Sequence, residues 1–301
     1  MTNFEEILRE RKEEMDGLLE AYLPEEEGMQ KTIFKAMNYS IKIGGKRLRP
    51  IFMQEMYRCF AADDSEEEKA EPFFAAIEML HTYSLVHDDL PAMDDDKYRR
   101  GSLTTHAEFG EAIGVLAGDA LLNFSFETAC KAFGREEDAE WNLRVIKAIK
   151  VFGAKAGVYG MIGGQTVDVE KTGRPLTEEE IEFIYELKTC ALIEASMLIG
   201  AILGGASSEA LAIVEKMASC IGMAFQIRDD ILDLIGDEGK LGKSIHSDQR
   251  NSKTTYVSLH GLEASKNKIE ELSTEAKKLA QQLSVSEFLQ ELIAYLTKRE
   301  Y

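Results

Sequence analysis

Five prolines occur in 301 residues, at positions 24, 50, 72, 91 and 175, and none lies between Leu176 and Tyr301. Proline removes a backbone donor and clashes with the preceding helical turn, so its absence leaves a long stretch open to uninterrupted helix. The apolar periodicity agrees. Ile181, Ile184, Tyr185, Leu187, Leu192, Ile193, Met197 and Leu198 fall broadly on one stripe. Thr177 followed three residues later by Glu180 is a capping box that opens this helix. Thr2 with Glu5 and Glu6 predicts another helix start, running towards Tyr22 and ended by Pro24. Residues from Phe73 to Val86 are apolar at helical spacing. No sustained two-residue alternation and no Asn-Gly or Asp-Gly hairpin turn occurs. The chain is expected to be all-α.

No linker interrupts the pattern, so a single domain over 1–301 is expected. The acidic segments Ala61–Glu71 and Phe133–Glu140 read as loops leading into helix starts. The glycine-bearing stretch Gly236–Ser252 reads as a mobile loop. Ala195–Ala206 is the longest uncharged apolar run. It is too short to span a bilayer and reads as a buried helix. Met1–Glu14 is mostly polar, without the apolar core of a signal peptide. Four scattered cysteines show no CxxC spacing, so neither a zinc cluster nor a disulfide framework is implied, and a reducing cytoplasm is expected.

Acids outnumber bases 54 to 35, a net charge of −19. Such a balance excludes a mainly electrostatic nucleic-acid binder. It also argues against docking on anionic lipid. An anionic substrate stays possible if the bases cluster and divalent metal sits between carboxylates and ligand. The placement of the acids therefore decides.

Two aspartate clusters follow apolar helical segments: Asp88-Asp89-Leu90-Pro91-Ala92-Met93-Asp94-Asp95-Asp96 and Asp229-Asp230-Ile231-Leu232-Asp233. On a helix, Asp229 and Asp233 are one turn apart on one face, and Gln226 shares it. Like charges at that spacing are destabilising unless offset, and a hard cation offsets them. Magnesium takes one or two carboxylates plus phosphate oxygens. Pro91 breaks the first helix, after which Asp94 is expected to return towards Asp88. His81 lies two turns before Asp88. Two basic patches match the acids. Lys46, Arg47 and Arg49 follow a Gly44-Gly45 turn, and Arg99-Arg100-Gly101 comes just after the first acids. Guanidinium forks and glycine-exposed N–H groups suit phosphate. Together these features describe a site for two phosphorylated substrates with bridging metal.

The residues carry a resemblance. GGKRLRP stands at 44–50, HTYSLVHDDLPAMDDD at 81–96, RRG at 99–101, HAEFGEA at 106–112 and LAGDALL at 116–122. GGQTVD follows at 163–168, KT at 188–189, FQIRDDILD at 225–233, LGK at 241–243 and KTTY at 253–256. In this order, from about Phe34 to about Leu262, they resemble the trans-isoprenyl (polyprenyl) diphosphate synthase family. The resemblance implies a homodimer of all-α bundles around a deep central cavity, with the aspartate motifs facing each other across its mouth. It implies magnesium, three ions with substrate bound, held by Asp88, Asp89 and Asp94 and by Asp229, Asp230 and Asp233. Arg99, Lys188, Lys243 and Lys253 would contact an allylic diphosphate (dimethylallyl or geranyl). Lys46, Arg49, His81 and Arg100 would hold isopentenyl diphosphate, and Thr189 and Gln226 would line the path of a developing cation.

Tyr83 and Ser84 lie about a turn before Asp88, where a growing chain would pass. In the family, an aromatic at that position beside the longer DDxxxxD motif resembles C15-forming bacterial members, whereas C20 relatives usually carry a smaller residue. C20 or C10 synthesis, a terpene cyclase and a non-catalytic subunit are the rival readings. The cyclase would lack the GGKRLRP patch, and the subunit would commonly lack intact aspartates. One departure concerns the loop after LGK: His246 and Ser252 stand where the family has glycines. The helix over 111–130, with Ala112, Val115, Leu116, Ala120 and Phe124, reads equally as interface or core.

Overall fold

The computed structural model describes residues 3–235 and 254–298. Helices dominate: α1 (Asn3–Tyr22), α2 (Lys31–Lys42), α3 (Leu48–Phe60), α4 (Glu67–Asp88), α5 (Thr105–Phe109), α6 (Glu111–Cys130), α7 (Ala139–Ala156) and α8 (Met161–Lys171). Then come α9 (Glu178–Ile184), a π-helix (Tyr185–Cys190), α10 (Ala191–Gly204), α11 (Ser208–Ile235), α12 (Tyr256–His260), α13 (Leu262–Leu283) and α14 (Glu287–Lys298). The Gly236–Ser252 loop read from the sequence lies outside the described residues, as do Lys243, Lys253, His246 and Arg299. The contacts form two compact units, Met1–Gln54 with Asp63–Val145, and Glu55–Ala62 with Ile146–Tyr301. Each unit draws on separated segments, so no single stretch of sequence marks a boundary.

In the first unit α4 is the central element. Phe73, Phe74, Ile77, Met79 and Leu80 are fully buried, and the helix packs most extensively against α6. It begins at Glu67, earlier than the apolar run suggests, and carries Pro72 in its second turn. Proline there loses one ladder bond, and burial on every side offsets that loss. The first unit also holds one departure from the all-helical pattern: β1 (Tyr98–Arg99) and β2 (Ser102–Leu103) pair antiparallel with Arg99 opposite Ser102. Arg100 and Gly101, between them, have φ of 53° and 80°. Two central residues with positive φ make a type I′ turn. Arg-Gly is a weaker signal for that turn than Asn-Gly, which is why the hairpin was not expected.

In the second unit every residue of α10 is buried. Its one charge, Glu194, is neutralised by Lys155 at 2.5 Å, as a buried carboxylate requires. The capping box predicted at Thr177 and Glu180 is present. Among the described residues, two helical stretches, Glu178–Gly204 and Ser208–Ile235, are long and apolar enough to cross a membrane by length and composition alone, and the most apolar 18-residue window of the first is 78% buried within the protein. Ile181, Ile184 and Tyr185 pack with Ala224, Ile227 and Ile231 of α11 and Ile269 of α13.

Candidate active site

The glycine turn of the first unit is built for a charge cluster. Gly44 and Gly45 have φ of 91° and 157° and Arg47 one of 50°. A Cβ at Gly45 would stand 2.5 Å from Nη1 of Arg100, so the missing side chain makes room for that guanidinium. Arg47 is wholly committed inside the protein. Its Nε donates to Asp16 at 2.7 Å, Nη1 to Glu78 at 2.8 Å, and Nη2 to the Ile41 carbonyl at 2.7 Å. Arg49 differs: its Nε is buried with no hydrogen-bond partner among the described residues. Burial, against the attraction of Glu78 and with the repulsion of Arg100, pulls Arg49 down to about 10. His81 is pushed well below the ordinary histidine value by burial and then by Arg49, Arg100, Arg99 and Arg47, so its imidazole is neutral at pH 7. Arg49, His81 and Arg100, predicted together, thus lie in one another's fields. Glu78 and Asp16 were missed. A glutamate inside the otherwise apolar run of α4 was the available signal.

At the end of α4 the first aspartates divide. Asp94 N–H donates to the Asp88 carbonyl at 2.9 Å, so the chain does return as expected. Asp89 is buried, 3% exposed, and accepts twice from Arg99 Nε at 2.9 Å. Burial raises its pKa against the pull of Arg99, and Asp96 and Asp94 raise it further. Asp88 is half-buried and Asp94 exposed. One turn below, Tyr83 is 5% exposed. Its ring meets His87 edge-on at 5.8 Å, and its hydroxyl is buried without a partner among the described residues. Burial, with Asp88 adding, pushes Tyr83 up to about 12. Ser84 donates to the His81 carbonyl at 2.8 Å.

The second unit contains a pocket lined by Asp168, Tyr185, Lys188, Thr189, Gln226 and Asp230, with Lys171, Arg174, Thr254 and Thr255. Lys188 and Thr189 sit on the π-helix, a wide turn often found at functional sites. Two glycines admit that turn. A Cβ at Gly164 of α8 would stand 2.3 Å from the Lys188 nitrogen, and one at Gly222 of α11 would stand 2.7 Å from Cys190 Sγ. Lys188 pairs with Asp168 at 2.6 Å. Thr189 donates to Gln226 Oε1 at 2.8 Å, and Gln226 Nε2 to Asp230 Oδ1 at 3.1 Å. Tyr185 donates to Asp230 Oδ2 at 2.5 Å. The sequence put Gln226 on the face of Asp229; its amide turns to Asp230 instead, which a helix places equally close. Asp230 and Asp233 are each 5% exposed, while Asp229 is half-buried.

Among the described residues, no three His, Cys, Asp or Glu side chains converge to hold a metal alone. Hard oxygen donors in ones and twos, completed by phosphate oxygens, are the magnesium pattern. Asp88 and Asp94, brought together by their own backbone, and Asp229 fit it. Asp89 and Asp230 also accept from Arg99 and from Tyr185 and Gln226, respectively, which leaves further lone pairs on each carboxylate.

The folds and these motifs together define a class: residues 30–293 match the polyprenyl synthetase family, and the chain belongs to it. It is 42% identical over 303 residues to farnesyl diphosphate synthase of Bacillus subtilis (strain 168), covering 100% of both chains. It is 42% identical over 279 residues to geranylgeranyl diphosphate synthase of Cyanophora paradoxa, covering 92% of this chain and 90% of that one. The crystal structure of geranyltransferase from Helicobacter pylori, complexed with magnesium and isoprenyl diphosphate, superposes with a TM-score of 0.83 at 31% identity, covering 98% of this chain and 97% of that one.

Proposed function

We propose that the chain is a magnesium-dependent prenyltransferase of farnesyl diphosphate synthase type. It joins isopentenyl diphosphate head-to-tail to dimethylallyl and then geranyl diphosphate, giving (2E,6E)-farnesyl diphosphate. The observation that carries this reading is Arg49: a buried guanidinium Nε without a partner among the described residues, beside Arg100 and neutral His81, calls for an anion.

In this reading Lys46, Arg49, His81 and Arg100 hold isopentenyl diphosphate. Asp88, Asp94 and Asp229 hold magnesium, with Asp233 one turn beyond, and Asp89 fixes Arg99 towards the allylic diphosphate. Asp230 fixes Gln226. Magnesium, when bound, neutralises charge on the departing diphosphate. Lys188 exchanges Asp168 for that diphosphate. The allylic C–O bond then ionises, the double bond of isopentenyl diphosphate attacks the cation, and the departed diphosphate takes the proton lost from the adduct. Thr189 and Gln226 present oxygens along the cation's path. No nucleophilic side chain is required.

Tyr83 supports a C15 product, since a buried ring one turn below Asp88 floors the space an apolar chain would enter. The second reading is a C20 synthase, favoured by the similarity to the geranylgeranyl enzyme. A homodimer is proposed from α6: its face carrying Val115 and Leu116, 40% and 53% exposed, is apolar where a monomer would be polar. Incubation with magnesium, isopentenyl diphosphate and each allylic primer tests the function. A C15 product from geranyl diphosphate is expected, and a predominantly C20 product would replace the first reading by the second.

A further inference from the structure

We infer that Tyr185 is a positioning residue whose hydroxyl orders the hydrogen bonds that present the Thr189 oxygen to the developing cation. The inference rests on the prenyltransferase reading and adds a residue to it.

Tyr185 opens the π-helix and is 7% exposed. Its hydroxyl does two jobs at once, donating to Asp230 Oδ2 and accepting the Tyr256 backbone N–H at 3.1 Å. With its acceptor side occupied by an N–H, the hydroxyl proton is directed to Asp230. An ionised carboxylate only accepts, so Gln226 must offer Asp230 its amide nitrogen. That turns Gln226 Oε1 towards Thr189. Thr189 must then donate to Gln226, which leaves its oxygen lone pairs for the pocket it lines. The polarity of the whole chain, from Tyr256 to Thr189, is thus set by groups that have no choice of role. An acceptor oxygen fixed beforehand stabilises positive charge without reorganising at the moment of reaction. A phenylalanine at 185 would fill the same space in the core and lose the hydroxyl's bonds to Asp230 and to the Tyr256 N–H.

The test is Tyr185→Phe, read as the single-turnover rate with geranyl and isopentenyl diphosphates, the two KM values and the thermal midpoint. Loss of a hydrogen bond to a charged group predicts a rate lower by roughly tenfold, with both KM values held within about twofold. Tyr39→Phe, which loses a hydroxyl bond to the Leu103 carbonyl, is the control and leaves the rate unchanged. Asp230→Asn is expected to slow the step similarly, and the double variant to be no slower than the worse single one. An unchanged Tyr185→Phe rate, additive losses, or a loss matched by raised KM values and a lowered midpoint would each overturn the inference. Wild-type protein that forms no product would overturn the prenyltransferase reading and this inference with it.

Discussion

Replacing Gly164 with alanine asks whether the π-helix holds its lysine by close backbone contact. The new Cβ would stand 2.3 Å from the Lys188 nitrogen, 2.8 Å from Leu187 Cβ and 2.9 Å from the Leu187 carbonyl carbon. The first distance is roughly 1 Å short of ordinary van der Waals contact. Two of the three atoms are backbone and cannot rotate away, so α8 and the π-helix must separate. Overpacking of this kind costs about 1–3 kcal/mol, a fall in the thermal midpoint of roughly 2–6 °C for a chain of this size. The effect on turnover should be larger. Asp168 lies on α8 and Lys188 on the π-helix, so the same separation moves both ends of their 2.6 Å contact. A misplacement of about 1 Å at reacting groups costs on the order of a hundredfold in rate. Thermal denaturation and single-turnover condensation, measured on Gly164→Ala and on Gly261→Ala, separate the two effects. Gly261 has a φ of 80° and ψ of 165° with open space around it, so its substitution costs about 1–3 kcal/mol of strain and should leave the rate intact. A Gly164→Ala enzyme with wild-type midpoint and rate would refute the close-packing argument. Equal rate losses in both variants would refute its local character.

Asp88→Ala and Asp229→Ala should each lower turnover by orders of magnitude, and excess magnesium should not restore it; near-normal steady-state rates in either would remove these residues from the metal account. Tyr83→Ala should move the product from C15 towards C20, as product chromatography will show, and an unchanged C15 profile would end the floor assignment. Asp16 gives a pH prediction. Burial alone would raise its pKa, but its bonds to Lys12 and Arg47 outweigh burial and hold it below the ordinary aspartate value of 3.8. A depressed carboxylate stabilises the fold above its unfolded value and loses that contribution as pH falls through the folded one. Asp16→Asn should therefore unfold at a lower temperature than wild type at neutral pH, the gap closing as pH falls below 3.8 and through the depressed folded-state value.

Much of the fold was legible because helix punctuation is local. Proline spacing, the Thr177–Glu180 box and the apolar stripes each act within a few residues, and α1, α4, α9 and α10 appear where those signals stand. The π-helix was not legible, since its extra residue is admitted by Gly164 and Gly222 from other helices, and nothing in Tyr185–Cys190 marks it. At the site, residue types were readable but partners were not. Asp88 and Asp89 are adjacent and chemically identical, yet one is half-buried and the other is held by Arg99. Arg47 and Arg49 share a seven-residue motif, yet one is consumed by Asp16 and Glu78 while the Nε of the other meets no acceptor among the described residues. Such divisions depend on which side chain a distant element supplies, and that is a property of packing.

The two-residue turn at Arg100-Gly101 has a consequence for how this chain can change over time. Arg99 closes β1 and reaches Asp89, while Arg100, the first residue of the turn, has positive φ and lies over Gly45. Surface loops ordinarily absorb insertions at little cost. Here a single inserted or deleted residue would break the two-residue turn and displace both arginines from their partners. This two-residue connection is therefore hard to edit, and lineages should vary in length at segments such as 61–66 or 133–138 long before they do so at 99–102.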